Sequence, residues 1–142
     1  MKNIYFLLLT FLAAPSFAQQ WPIELMTKPE RTAYEETSTY TEVMDFISEV
    51  KKGSDYVTQI SMGKSLEGRD IPVLILANPK VSTPAEAKAS GKPIIYIQGN
   101  IHSGEVEGKE VIQILLREIL HGQIAYLLQN QIILFERQIW YR

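Results

Sequence analysis

Two periodicities divide the apolar positions of this chain. Tyr40, Val43, Met44, Phe46, Ile47 and Val50 recur at helical spacing. Thr39 with Glu42 forms a capping box at their start, and a basic Lys51-Lys52 turn and Gly53 follow them. That spacing predicts a packing helix. Tyr56 to Met62 then alternates with period two, and Ile71 to Ala77 repeats the pattern, predicting two strands with a turn over 65–70. Pro72 cannot donate to a ladder, so it belongs near the start of its strand or on an edge. Asn78-Pro79 ends that strand. Thr83-Pro84-Ala85-Glu86 opens a short helix with proline at its first position, and Gly91 closes it.

The next apolar run, Ile94-Ile95-Tyr96-Ile97, is unbroken, short and β-branched, which predicts a strand buried on both faces. Val111, Ile112, Leu115, Leu116, Ile119 and Leu120 return to helical spacing, with His121-Gly122 as the stop. A weak helix or loop reaches Asn130, and Ile132 to Phe135 reads as a further strand. Strands and helices alternate, which is the pattern of an α/β fold.

Between the apolar strand and the long helix lies Gly99-Asn100-Ile101-His102-Ser103-Gly104-Glu105. Loops at the carboxyl ends of strands are where α/β sheets usually bind ligands. Gly99 and Gly104 are expected to let the backbone turn tightly. A neutral imidazole and a carboxylate one helical turn apart can converge on one ion, and both are ordinary zinc ligands. His102 and Glu105 are therefore the candidate metal residues. Glu105 is expected in the first turn of the helix, where the macrodipole favours its ionised form.

The segment from Gly99 to Gly108 resembles the zinc-binding segment of the M14 metallocarboxypeptidases, the carboxypeptidase A-like family. Upstream, Gly63-Lys64-Ser65-Leu66-Glu67-Gly68-Arg69-Asp70-Ile71 resembles the turn that family places between its first two strands. The resemblance runs over roughly residues 40 to 135. It implies the front part of a mixed, mostly parallel-core open sheet flanked by helices, incomplete in this chain, with one zinc ion as cofactor. The chain then divides into a leader over 1–18 and an arm over 19–38, both read from their own residues, and a partial catalytic domain over 39–142. The implied activity is zinc-dependent hydrolysis at peptide carboxyl termini. An amide hydrolase of cell-wall peptides or acylated amino acids is the alternative within the motif, and a non-catalytic fragment or binding module is the alternative outside enzymes.

A catalytic zinc takes three protein ligands and keeps a position for water. His121 is the other histidine of the chain. If 105–120 is one helix, His121 lies roughly 24 Å from Glu105 along the axis, too far to share an ion. It reads instead as a helix carboxyl-terminal residue favoured by the dipole. Glu107 lies two residues past Glu105 on another face of the helix and is a poor third ligand, as is Glu110. The family's second histidine, its substrate-binding arginine and its general-base glutamate match no position here. The expectation is an amino-terminal piece of the enzyme, lacking the third ligand and the base, inactive by itself and left with an exposed sheet edge.

Composition narrows the rest. Fourteen basic against sixteen acidic side chains give a net charge of −2, and no basic cluster exists, which argues against nucleic acid as a partner. A peptide or small amide is the expected substrate. Lys2 followed by the apolar stretch from Ile4 to Ala14 is too short to span a bilayer, and Pro15-Ser16-Phe17-Ala18 suits signal cleavage after Ala18. The expected location is periplasmic or secreted, with no stable membrane anchor after cleavage. No cysteine occurs, which excludes disulfides and a lipoprotein anchor. Gly63-Lys64-Ser65 lacks the earlier glycine of a phosphate loop, since position 58 is threonine. No Gly-x-Ser-x-Gly elbow offers a serine nucleophile.

Overall fold

The computed structural model describes residues 21–102 and 104–137. The expected leader over 1–18 lies outside them. Four helices and four strands make up the core: α1 (Lys28–Arg31), α2 (Tyr40–Val50), β1 (Val57–Lys64), β2 (Asp70–Leu76), α3 (Pro84–Ala89), β3 (Ile94–Gly99), α4 (Val106–Leu120) and β4 (Ile132–Arg137). Short 3-10 turns at Ile23–Leu25 and Ala125–Gln129 complete the described chain.

The strands form one mixed sheet in the order β1-β2-β4-β3. β1 pairs antiparallel with β2, with a bulge between Ser61 and Lys64. β2 pairs antiparallel with β4, and β4 runs parallel to β3. Among the described residues the last strand in sequence is thus interior, and β3 is an edge with β4 as its neighbour. This corrects the expectation for Ile94–Ile97. With one flank open, Ile94, Ile95 and Tyr96 are exposed rather than buried on both faces.

Side-chain alternation sorts the sheet residues onto two faces. One face carries Val57, Leu74, Leu76, Ile133 and Phe135, which pack with Val43, Phe46, Ile47 and Val50 of α2 and Ile112, Leu116 and Ile119 of α4. The other face has a smaller cluster of Ala77, Val81, Ala87 and Ile132 under α3. Each capping box read from the sequence is formed. Thr39 and Glu42 exchange side-chain and backbone bonds at the start of α2, and Thr83 and Glu86 do so at α3. A third box, Thr27 with Glu30, opens α1 inside the arm that the sequence left without structure.

The arm is strapped to α4. Arg117, with 3 % of its side chain exposed, makes two bonds to Glu30 at 2.7 and 2.9 Å and a third to the Leu25 carbonyl. The Trp21 ring stacks over its guanidinium, and Trp21 Nε1 donates to Glu118. Burial alone would push the Glu30 carboxyl up; Arg117 and the Thr27 amide outweigh it and hold it below the ordinary range.

Candidate metal centre

β3 delivers the chain to the carboxyl edge of its parallel pair, and the loop to α4 begins there. Asn100 makes the turn. Its φ is 61°, in the left-handed region that asparagine tolerates better than most residues, and it is buried. Gly99, expected to supply this freedom together with Gly104, does not have a positive φ. Gly99 is small for a different reason. A Cβ there would lie 2.7 Å from Ile112 Cδ1 and 2.9 Å from the Gly108 carbonyl carbon. Gly108 answers it, since a Cβ on Gly108 would sit 3.2 Å from the Asn100 nitrogen. The two glycines let the first turn of α4 rest directly on the end of β3. Gly104 has open space around it.

Glu105 is the N-cap of α4, one residue ahead of its expected place in the first turn. Its amide donates to the His102 carbonyl at 3.1 Å, closing the loop. The two candidate side chains meet across that closure. His102 Nδ1 donates to Glu105 Oε1 at 2.9 Å, while 77 % and 64 % of the two side chains remain exposed. The hydrogen bond from His102 holds the Glu105 carboxyl below its ordinary range. Donor atoms on one tetrahedral ion at ~2.0–2.1 Å stand ~3.3 Å apart. The pair therefore fits a zinc ion after a small opening, with the ion taking the place of the shared proton.

The other candidates lie elsewhere. His121 is the C-cap of α4, and its Nε2 donates to the Val50 carbonyl at 2.6 Å, satisfying a terminal acceptor of α2. Glu107 is exposed. Glu110 is buried and bonded to Thr37, Ser38 and Gln113. Among the described residues no group of three histidine, cysteine, aspartate or glutamate side chains converges on one point. Among the described residues the candidate pair is thus two donors without a third. Sequence reading missed the parts that seat it: the turn at Asn100, the glycine contact between Gly99 and Gly108, and the buried Glu110. A Gly-Asn pair after an apolar strand was the available signal for the first.

The family model for zinc carboxypeptidases, peptidase family M14, matches residues 43–136. The chain belongs to this family. A comparison with curated proteins gave no match. Among solved structures, carboxypeptidase A from Helicoverpa armigera is 21 % identical with a TM-score of 0.60, over 71 % of this chain and 24 % of that one. A metallo-carboxypeptidase from Burkholderia cenocepacia is 15 % identical with a TM-score of 0.56, over 69 % and 25 %. Bovine thrombin-activatable fibrinolysis inhibitor, solved with a tick carboxypeptidase inhibitor, is 18 % identical with a TM-score of 0.57, over 72 % and 31 %. These likenesses show a shared fold. The chain spans about a quarter of the length of the first two structures.

Proposed function

We propose that this chain supplies the first two ligands of a zinc-dependent hydrolase acting on peptide carboxyl termini. The observation that carries the reading is the 2.9 Å approach of His102 Nδ1 to Glu105 Oε1 at the carboxyl edge of β3. Packing does not account for the pair, because both side chains face solvent. The Glu105 carboxylate is kept ionised by the His102 bond and lies at the positive end of α4, so it is ready to ligate at neutral pH. When bound, zinc would polarise the scissile carbonyl and lower the pKa of a bound water toward ~7.

The pair would hold the ion from one side, and among the described residues no third histidine or carboxylate groups with it. We therefore expect the 142-residue chain alone to bind zinc weakly and to leave peptides intact. The same observation favours a second reading, a family member that binds metal or peptide without catalysis. The leader-like residues 1–18 support a periplasmic or secreted location. Among the described residues no helix is long and apolar enough to cross a membrane.

Zinc titration against a chromophoric chelator tests the ligand reading. One-to-one uptake that His102→Ala abolishes supports it. Uptake unchanged in both His102→Ala and Glu105→Ala would remove this pair from the centre. Carboxyl-terminal release from a peptide panel, measured with and without chelator, separates the catalytic from the non-catalytic reading.

A further inference from the structure

We propose that Ser38, gripped by Lys109, Glu110 and Gln113, is a positioning residue for the metal loop. It holds the first turns of α4, and with them Glu105, in place against the end of β3. The proposal rests on the zinc reading only for its consequence, metal affinity; the mechanical part stands on the contacts alone.

Ser38 is 2 % exposed, and every polar atom it owns is engaged by α4. Its amide donates to Glu110 Oε1 at 2.7 Å, and its hydroxyl donates to Glu110 Oε2 at 2.7 Å. Gln113 Nε2 donates to the same hydroxyl at 3.3 Å, and Lys109 Nζ donates to the Ser38 carbonyl. Glu110 also accepts from Thr37 Oγ1 at 2.6 Å and from Gln113 at 2.9 Å. Four donors fill the acceptor capacity of one carboxylate. Lys109 Nζ lies 3.6 Å from it, so the buried charge is balanced locally.

Three facts give this node a directional role. Lys109 and Glu110 follow Glu105 by four and five residues, about one helical turn. Glu105 itself makes no side-chain cap bond, so the start of α4 lacks the usual local brace. The Gly99–Gly108 contact seats the turn on the strand but, being backbone against backbone, carries no hydrogen-bonding side chain to fix its register. Ser38 provides that second anchor. Its neighbour Thr39 is the N-cap of α2, so the node ties the starts of both long helices together.

A control separates positioning from plain stabilisation. Thr39→Ala removes the α2 cap and lowers the melting temperature without touching α4. Ser38→Ala removes the hydroxyl at the node, and Gln113→Ala removes one of its donors while leaving the Ser38 backbone bonds. The amides of Lys109 to Ile112 close the first turns of α4, and their exchange by NMR on the 142-residue chain reads the turn directly. The 15N shift of His102 Nδ1 reads its bond to Glu105.

Ser38→Ala is expected to speed exchange at these amides about tenfold and to shift the His102 signal, with Leu116 to Leu120 unchanged. Its affinity for zinc alone should fall about tenfold, the scale of losing a group that orients a ligand. Gln113→Ala should do the same to a lesser degree, and it decides the matter if Ser38→Ala does not fold. Thr39→Ala, at a comparable loss of melting temperature, should leave exchange and the His102 signal alone. Equal effects of Thr39→Ala and Ser38→Ala, or none from Ser38→Ala, overturn the proposal. A wild-type chain that takes up no zinc removes the functional reading, and the exchange comparison still decides whether Ser38 positions the turn.

Discussion

Each end of α4 carries a histidine and a glutamate, and the fold treats the two pairs differently. At the far end His121 donates to Val50, and Glu118 accepts from Trp21 and from Arg117. Beside them Arg117 is sealed under the arm by Glu30, Leu25 and the Trp21 ring. At the near end His102 and Glu105 meet each other while facing solvent. One pair is absorbed by packing and backbone demand. The other has no such demand to meet, because a contact between two exposed side chains contributes only ~0–1 kcal/mol even where both are charged. Groups of the same chemistry are thus sorted by what surrounds them, and the pair left facing outward is the one with capacity for a ligand.

The largest expected effect lies at the sealed end. Arg117→Ala strips the partner from Glu30, leaves the Leu25 carbonyl short of a donor and unseats Trp21. Breaking a buried pair by removing one member costs about 3–5 kcal/mol. Chemical denaturation should show that loss in the midpoint, and zinc affinity below the melting range should be unaffected. If zinc affinity falls in proportion to stability, the two ends of α4 are not separable and the comparison fails.

How far the sequence revealed this division depended on the range of the interaction. The helix over 40–50, the short helix after Thr83 and the apolar strands were legible because caps and periodicity are local. The His102–Glu105 approach was legible for the same reason: three residues bridge it. Sheet order was not, because placing β4 between β2 and β3 is decided by contacts far apart in sequence, and with it went the burial of Ile94 to Tyr96. Nothing local marks Arg117, because its partners lie in the arm some ninety residues earlier. Glu110 reads from the sequence as a poor ligand, and its partner Ser38, 72 residues earlier, is marked by no local pattern.

A smaller effect comes from acid. The Thr39 amide, with the Thr39 hydroxyl and Lys28, pulls the Glu42 carboxyl down from 4.5 to about 2. Because the folded value lies below the unfolded one, the stability it provides is complete above the unfolded value of 4.5 and is lost as pH falls through about 2. Glu30, also held low, titrates in the same direction. The thermal midpoint should therefore decline between pH 4.5 and 2, and Glu42→Gln should flatten part of that decline. A decline unchanged by Glu42→Gln would assign the acid limb to the other carboxyls held low, those of Glu30, Asp70 and Glu105.

The smallest stability effect is expected at the exposed end, and it gives the sharpest reading of the comparison. His102→Ala removes a side chain 77 % exposed, hydrogen-bonded to a carboxylate that is itself 64 % exposed. Surface changes of this kind usually stay within about 0.5 kcal/mol. Denaturation midpoints of His102→Ala and wild type should coincide within that margin in chelator, where no metal contributes. In zinc the curves should separate, because an ion bound to the native state adds stability as RT ln(1 + [L]/Kd), about 2.7 kcal/mol at a hundredfold excess over Kd. The separation should grow with zinc concentration for wild type and stay flat for the variant. A destabilised variant in chelator would mean that the loop depends on this histidine for its shape, and the exposed pair would then belong with the structural one at the other end of α4.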